Sequence, residues 1–515
     1  MTSPPQRPVP AAAIPDPARP SAADPARPGG WLDKLGRPPM RALLLGLVGG
    51  LLLVLGGVGG AGVLVSDPVL SDSPFAFWRY GHGRELAIWV VYIGLALITW
   101  AWVLLGRAVL ARKVGGRGVL TTSAAWLAPI VFAPPLFTRD PFSYLAQGAL
   151  QIAGFDPYAV GPAVLLGPIS DNVHAFWQNT PANYGPLFVL LAKAIMVLTG
   201  SNLIAGVIVM RLAMMVGLVL LVWATPGLVR HLGGKVALAL WIVVANPLMV
   251  IHLVGGPHND LLVIGLLAAG CLLMLDGRHV AGIVVVSLGI AIKVSIVVAL
   301  PFLVLVWAAR LTGTRPLRIT KAAAAAGGLF VATFAAATLA AGVGLGWLPA
   351  LNAPIQIVNW LSLPTGIGEL VYGLTSWVAE PQKPPFIVVA RVIGVLVLLV
   401  IAWRQWWAAR DGGPDAVRRA GLVLVAVAVL SPTTLPWYVT WGMALLAMGP
   451  WSPRALSLVV FASVWLVVVA FPDGESALYQ PVYLAVCAAG ALLAAISLRR
   501  PDPLGLRGPP AQLRA

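Results

Sequence analysis

Apolar stretches long enough to cross a lipid bilayer recur along the whole chain, beginning with residues 42–65, which contain no charged side chain. A transmembrane helix needs about 20 predominantly apolar residues. Of the 515 residues, 59% are hydrophobic and 10% are charged, whereas soluble domains are about 25% charged. The sequence therefore predicts an all-α polytopic membrane protein and excludes a soluble, collagen-like or coiled-coil fold.

Fourteen apolar segments are predicted to cross the membrane, within a range of 12–15 because two pairs of neighbouring segments are short. They are residues 42–65, 86–106, 119–137, 203–226, 235–254, 260–275, 280–295, 297–311, 323–346, 385–404, 417–431, 434–449, 454–471 and 481–498. This pattern alone identifies helices and not their arrangement.

The charged residues predict which side of the membrane each loop occupies, since short cytosolic loops are enriched in lysine and arginine. The net charge of +16 is explained by such basic loops, so no nucleic-acid partner is expected. The intervening segments 138–202, 347–384 and 472–480 contain aspartate and glutamate with few cations. We therefore expect these three segments on the exoplasmic side and both termini in the cytosol.

Residues 1–40 contain eleven prolines and a repeated DPARP motif at 16–20 and 24–28. A proline- and alanine-rich segment buries too little surface to offset its ordering entropy, which predicts a disordered cytosolic tail. The first apolar run is too long for the core of a signal peptide. The predicted domains are this tail, a membrane domain over 41–498 and a cytosolic C-terminal tail over 499–515.

Residues 185–200 form another apolar run, although counting it as a crossing would place Arg230 and Lys235 on the exoplasmic side. A helix lying on the outer leaflet keeps the charge pattern consistent. An ordinary short span is the alternative. On the first interpretation, residues 138–202 form one large exoplasmic loop with helices beside the membrane.

A polar cluster opens that loop, where Thr138-Arg139-Asp140 precedes Pro141. On a helix that starts near Pro141, Asp140, Tyr144 and Gln147 share one face. Ionisable residues near membrane depth are expensive to bury and are functional candidates by default. The alternative for Asp140 is a helix N-cap before proline.

The same loop contains further polar and aromatic residues. Asp156 and Tyr158 occur in the sequence DPY, for which a simple turn is the favoured alternative. Tyr184 precedes a Gly-Pro pair.

A second cluster, His258-Asn259-Asp260, follows a Gly-Gly-Pro corner. Such a run is suited to binding a metal ion or to hydrogen bonding with sugar hydroxyls. The alternative is that Asn259 or Asp260 caps the following helix, which would account for one of the three residues.

Three cations, Arg211, Lys293 and Arg391, fall inside predicted spans in the outer half of the membrane. Fixed cations at that depth suggest an anionic group such as a lipid phosphate. Snorkelling of the long side chains to the nearest headgroups is the alternative. For Lys293 ligand binding is favoured, whereas for Arg391 both interpretations remain open.

Several motifs together resemble the GT-C glycosyltransferases, and more closely the actinobacterial polyprenol-phosphate-mannose-dependent α-1,6-mannosyltransferases of the MptA and MptB type. They are Asp140 followed by YLAQGA, DPYAVGP at 156–162, YGPLF at 184–188, the NPL and IHLVGGPHN segments within 246–259, and IKVS followed by ALPFLVLVW within 292–307. The short sequence between the sixth and seventh spans is more similar to MptA. Asp260 stands where this family is expected to have glutamate.

The resemblance implies a GT-C fold with a large first catalytic loop and an inverting enzyme at the outer face of the plasma membrane. It implies polyprenyl-phosphate-mannose as donor and an α-1,6-mannan chain of lipomannan or lipoarabinomannan type as acceptor. Inversion requires one base for the attacking hydroxyl and stabilisation of the leaving phosphate. Asp140 is assigned as the base. The remaining candidates are phosphate contacts at Lys293, Arg211, Arg139 and Arg391, and sugar or acceptor contacts at Tyr144, Gln147, Asp156, Tyr158, Tyr184, His258, Asn259 and Asp260.

No cofactor is expected, because a lipid phosphate leaving group needs less assistance from a metal ion than a nucleotide diphosphate does. A transporter or flippase for a lipid-linked sugar is the competing function, and it would require repeated halves with broken helices. The oligomeric state, the acceptor length and the isoprenoid length stay open at the level of sequence.

Overall fold

The computed structural model describes residues 38–61 and 64–500. Within these ranges the chain is helical, and the β-structure is limited to an isolated bridge between Ala470 and Ser476. The all-α polytopic class is therefore confirmed. The predictions for the two tails, 1–40 and 499–515, lie outside the described residues except at 38–40 and 499–500.

Helices of eight or more residues are labelled here in chain order. They are α1 (Met40–Gly60), α2 (Gly81–Leu110), α3 (Gly116–Ile130), α4 (Asp140–Ile152), α5 (Pro186–Thr199), α6 (Leu203–Leu232), α7 (Val236–Val243), α8 (Asp260–Leu275), α9 (His279–Ile290), α10 (Leu300–Ala308), α11 (Arg315–Ala341), α12 (Leu363–Thr375), α13 (Lys383–Ala408), α14 (Gly413–Leu430), α15 (Val439–Leu446), α16 (Pro453–Val468) and α17 (Pro481–Arg499).

Six helices in the described part of the chain are long and apolar enough to cross a membrane: α1, α2, α6, α11, α13 and α17. A bent pair, the π-helix Met249–Gly255 followed by α8 at 105°, would add a seventh. The predicted count of fourteen is not confirmed. Hydropathy measures the length of an apolar run and not the continuity of its helix, and breaks divide several of the predicted spans. Residues 119–137, for example, contain the end of α3 and an irregular segment with Pro134 and Pro135.

Helix α8 lies at the centre of the fold, packed against α6 and α9. Its apolar residues are almost entirely buried. Two glycines permit its close crossing with α6, because a Cβ atom on Gly217 would lie 2.1 Å from the Leu261 carbonyl oxygen and one on Gly265 would lie 2.1 Å from that of Gly217. Small residues at a crossing let two helix backbones approach closely. The crossing fixes the position of Asp260, the first residue of α8.

Irregular segments meet at one end of this central packing. The segment 131–139 leads into α4, and the π-helix leads into α8. Residues 431–438 connect α14 to α15. Nonhelical backbone at membrane depth is tolerated where protein buries it or where it lines a cavity, and both conditions occur here. The predicted helix within 185–200 is present as α5, while its orientation to the membrane stays a prediction.

Candidate active site

Asp140 is the first residue of α4, and its carboxylate lies near polar side chains of α4 itself and of the segment that precedes α8. Its Oδ2 atom lies 3.5 Å from Nε2 of His258, and the Tyr144 hydroxyl donates to the same oxygen at 3.4 Å. The predicted shared face of Asp140 and Tyr144 is thus present. The N-cap alternative is wrong, because Arg139 occupies the cap position and no side chain caps the helix. The Asp140 carboxylate is available for chemistry.

The segment before Asp140 is held in a strained conformation. Phe137 is buried with a positive φ of 58°, a region that costs a non-glycine residue about 1–2 kcal/mol. Its backbone N–H donates to the Pro472 carbonyl at 3.0 Å, and that of Leu136 donates to the Gly255 carbonyl at 3.2 Å. Such strain persists where surrounding contacts over-determine the backbone, which often occurs at functional sites.

His258 is completely buried and its ring is fixed on two sides. Nδ1 lies 2.6 Å from the His252 carbonyl oxygen, and the ring stacks on Trp437 with 3.6 Å between centroids. A carbonyl oxygen only accepts, so Nδ1 carries a proton and Nε2 is the atom that faces Asp140. The imidazole is therefore oriented toward the carboxylate before any substrate binds.

The pKa of Asp140 lies below the ordinary aspartate value of 3.8. Burial is the largest influence and by itself raises this pKa, but the combined effects of His258, Lys293 and His174 outweigh it. Asp140 is consequently ionised at neutral pH. The half-buried, ionised carboxylate can accept a proton from a bound hydroxyl group.

Lys293 forms a buried ion pair with Asp260. Its Nζ atom donates to Oδ1 at 2.9 Å and to Oδ2 at 2.8 Å, and the Trp441 indole N–H donates to Oδ1 at 2.6 Å. The ammonium also lies 4.7 Å from the centroid of the Tyr438 ring, a cation–π contact. Asp260 is fully buried while the Lys293 side chain retains 11% exposure, so the ammonium lies on the open side of the pair.

Two cavities meet at Asp140. One has a volume of about 240 Å³ and is lined by Asp140, Tyr184, Lys293, Tyr438 and Trp441; we call it the lysine cavity. The other, about 410 Å³, is lined by Arg139, Asp140, His174, Glu475 and Tyr479; we call it the loop cavity. The partition between the cavities is formed by the residues that line both: Asp140, Trp177, Ile357, Leu435 and Trp437.

Arg211 lies away from the lysine cavity, buried among backbone carbonyls. Its guanidinium donates to Val131 at 2.7 Å, Val254 at 2.8 Å, Gly255 at 2.9 Å and Pro134 at 3.4 Å. These contacts fasten the segment that leads to Asp140 against the π-helix that leads to His258. Its donors are therefore engaged in holding the backbone.

Arg391 makes a comparable set of contacts on α13. It donates to the Thr365 hydroxyl at 2.9 Å and to the carbonyls of Ile355 at 2.6 Å and Ile357 at 2.8 Å. Ile355 and Ile357 line the lysine cavity, whereas Arg391 does not. Arg391 therefore supports one wall of the cavity from behind.

The predicted sugar contacts in the first loop separate into two groups. Tyr144 and Tyr184 are buried near Asp140 with their rings 5.3 Å apart, and the Tyr158 hydroxyl donates to the Tyr184 carbonyl at 3.0 Å. Asp156 is exposed and accepts from the Tyr158 backbone N–H at 2.9 Å. The turn interpretation of Asp156 is therefore confirmed.

Gln147 and Asn259 are buried with unused hydrogen-bonding capacity. The Gln147 Oε1 atom and both amide atoms of Asn259 have no hydrogen-bond partner within the described ranges. Asn259 occupies the cap position of α8 without a side-chain capping bond, so the capping alternative for it is wrong. Buried polar atoms of this kind are uncommon in proteins.

Among residues 38–61 and 64–500, no group of three or more histidine, cysteine, aspartate or glutamate side chains is arranged to hold a metal ion. The expectation that the reaction needs no metal stays a prediction.

The membrane-length helices and their largely buried polar site define a polytopic membrane protein. Two family descriptions match the chain. The family described as "Alpha-(1->6)-mannopyranosyltransferase, N-terminal domain" matches residues 43–309, and the one described as "MptB C-terminal domain" matches residues 364–500. The chain belongs to the α-(1→6)-mannopyranosyltransferase family.

Relatives of known name extend over nearly the whole chain. Alpha-(1->6)-mannopyranosyltransferase A of Mycobacterium tuberculosis is 40% identical over 90% of this chain and 91% of its own length. The A enzyme of Corynebacterium glutamicum is 32% identical over 86% and 96%, and the B enzyme of that organism is 30% identical over 80% and 73%. The predicted resemblance, closer to the A type, is confirmed. No solved structure matches the chain.

Proposed function

We propose that this mannosyltransferase takes mannose from polyprenyl-phosphate-mannose and adds it to an α-1,6-mannan chain of lipomannan or lipoarabinomannan type at the outer face of the plasma membrane. The observation that carries the proposal is the shared lysine cavity, which is lined by the Asp140 carboxylate and the Lys293 ammonium. A base and a cation on one cavity are the two groups that an inverting transfer from a phosphate donor requires.

In the proposed reaction, Asp140 removes the proton from the 6-hydroxyl of the acceptor as that oxygen attacks the anomeric carbon. The bond between the anomeric carbon and the phosphate oxygen breaks, and the bonding electrons leave with the lipid phosphate. Lys293 stabilises the negative charge that develops on this phosphate. Asp260 holds the Lys293 ammonium from behind, which gives Asp260 a positioning role in place of the predicted sugar contact.

His258 positions the base in this scheme. Its proton on Nδ1 is held by the His252 carbonyl, and its Nε2 atom approaches Asp140 to 3.5 Å. That distance is longer than an effective hydrogen bond, and catalytic contacts often tighten only when substrate binds. Contact with His258 favours the ionised form of Asp140, which is the form that accepts the proton.

The test uses purified protein in lipid nanodiscs, polyprenyl-phosphate-[¹⁴C]mannose and an octyl α-1,6-mannobioside. The wild-type chain should form a radiolabelled trisaccharide with a new α-1,6 linkage. Asp140→Asn should reduce turnover by about 10²–10⁴-fold, the usual contribution of a general base. The matched control is Asp276→Asn, at a distance from both cavities. Donor movement across vesicles without a new glycosidic bond would instead identify a flippase.

A further inference from the structure

The loop cavity has the features of a carbohydrate site, and it is separate from the cavity that contains Lys293. Building on the proposed transfer reaction, we propose that the loop cavity binds the mannan acceptor, with Glu475 and Tyr479 as contacts to its sugar residues. Neither residue belongs to a motif of the sequence. Both lie in the segment between α16 and α17, far along the chain from Asp140.

The position of Asp140 between the two cavities supports an acceptor site in the loop cavity, because of the stereochemistry of the reaction. In an inverting displacement, the attacking oxygen and the leaving oxygen occupy opposite sides of the anomeric carbon. The base must contact the attacking oxygen, while the cation must contact the leaving phosphate. Asp140 lines both cavities, whereas Lys293 lines only the lysine cavity. With Lys293 as the phosphate contact, the acceptor hydroxyl approaches from the loop cavity. Arg139, which lines the loop cavity, is then not the phosphate contact that the sequence suggested.

The size and lining of the loop cavity fit a carbohydrate chain. Its volume of about 410 Å³ lies within the roughly 300–1,000 Å³ of small-molecule sites, which combine apolar and aromatic walls with a few polar groups. Phe176 and Trp437 supply aromatic surface, and His174, Asn359 and Glu475 supply polar atoms. Such a lining suits a sugar, which presents C–H groups on its faces and hydroxyls at its edges.

The outer end of the loop cavity is open, as a polymeric acceptor requires. Tyr479 is 56% exposed and the side chain of Glu475 is 58% exposed. The walls of the lysine cavity include the buried side chains of Tyr184 and Trp441. A mannan chain longer than the cavity can therefore place its terminal sugar at Asp140 and extend past Tyr479 toward the solvent.

Both proposed contacts have hydrogen-bonding capacity for sugar hydroxyls. Glu475 forms an ion-pair contact with His174 at 3.4 Å, and exposed pairs of this kind contribute little to stability. Tyr479 donates to the Glu369 carboxylate at 3.3 Å. Burial and this carboxylate raise the pKa of Tyr479 to about 12, so its hydroxyl keeps its proton at neutral pH.

The segment that contains Glu475 and Tyr479 is held in register with the base. The Phe137 N–H donates to the Pro472 carbonyl, and the Arg84 guanidinium donates to Asp473 at 3.1 Å. Gly474 adopts a φ of +90° directly against Thr138. These contacts fix the rim of the loop cavity relative to Asp140, as an acceptor site for one hydroxyl requires.

The decisive experiment measures acceptor binding without turnover. Fluorescently labelled α-1,6-mannotetraose is titrated into the purified Asp140→Asn chain in nanodiscs, and its anisotropy gives Kd. We expect Glu475→Gln and Tyr479→Ala, each added to this background, to weaken binding by about tenfold or more. The matched controls, Glu380→Gln and Tyr80→Ala, alter exposed residues away from both cavities and should leave Kd unchanged.

The second measurement is the steady-state kinetics of mannose transfer in the chain that keeps Asp140. Glu475→Gln should raise the KM of the acceptor and leave the KM of the donor unchanged, and a melting temperature equal to that of the parent shows that this variant is folded. A Kd for mannotetraose equal to that of the parent in both rim variants would overturn the acceptor assignment. Absence of mannose transfer by the wild-type chain would overturn the proposed function instead, and the two failures are therefore distinct.

Discussion

The Oδ2 atom of Asp140 and the Nε2 atom of His258 lie 3.5 Å apart, although the residues belong to segments that are distant in the sequence. Arg211 joins these segments by donating to carbonyls on both. The pair is therefore part of the architecture of the fold, and several measurable consequences depend on it.

The pH dependence of transfer should reveal the influence of His258 on the base. The pKa of Asp140 is below 3.8, and pH 5 lies about one unit above that value. The protonation of Asp140 should therefore cause no fall in kcat/KM between pH 5 and neutrality. Replacing His258 by Gln removes an influence that lowers this pKa and leaves burial, which raises it. The acidic limb of His258→Gln should move to higher pH.

A His82→Gln variant is the control for this profile, since the His82 side chain is fully exposed. The stability of the folded state should depend on pH in the same direction as transfer does. The ionised Asp140 stabilises the folded state above the pKa it has when unfolded, and this contribution is lost as the pH falls through its lower folded value. An unshifted acidic limb in His258→Gln would contradict the coupling.

The ion pair of Lys293 and Asp260 should show separate effects on stability and catalysis. Lys293→Met leaves a buried carboxylate without its partner, which should lower the free energy of unfolding by about 3–5 kcal/mol. The double variant Lys293→Met/Asp260→Asn should regain much of this stability, because no unpaired charge remains. Transfer should stay low in both variants, since neither has the cation.

Thermal unfolding in detergent and the rate of mannose transfer provide the two readouts for the ion pair. Arg418→Met serves as the control, because it breaks an exposed pair with Asp415 that should contribute about 1 kcal/mol or less. Recovery of transfer in the double variant would show that the ammonium acts only on stability.

Arg211→Lys should destabilise the site without removing a charge. Lysine cannot reproduce the planar fork that contacts four carbonyls, and each buried carbonyl left unpaired costs about 1–3 kcal/mol. We expect a lower melting temperature and a reduced kcat. The control is Arg310→Lys at an exposed position. A change confined to the KM of the donor, with stability intact, would favour a direct phosphate contact.

Gly474→Ala should impair transfer through the rim of the loop cavity. Its φ of +90° disfavours alanine, and an added Cβ would lie 3.0 Å from the Thr138 Cα atom. Gly413→Ala is a matched control, because Gly413 has a φ of +68° with open space around it. Both variants should lose about 1–2 kcal/mol from backbone strain. Only Gly474→Ala should also lower mannose transfer, and equal transfer in the two would contradict the role of the segment.

Local patterns in the sequence determined the helical class, a helix start near Pro141, within one residue of the start of α4 at Asp140, and the shared face of Asp140 and Tyr144. Hydropathy and helical spacing depend on neighbouring residues, so they can be read along the chain. The number of membrane-spanning helices could not be read this way, because prolines and bends interrupt apolar runs.

Only the tertiary structure decided which distant groups meet. The sequence alone presents Lys293 and Arg211 as similar buried cations, yet one lines a cavity beside Asp260 and the other binds backbone carbonyls. Glu475 and Tyr479 lie in an acidic loop without a motif. Contacts of residues 472–474 with residues 137–138 place this loop beside the cavity that Asp140 lines. Their positions depend on how helices cross, and no periodicity within a single segment encodes that crossing.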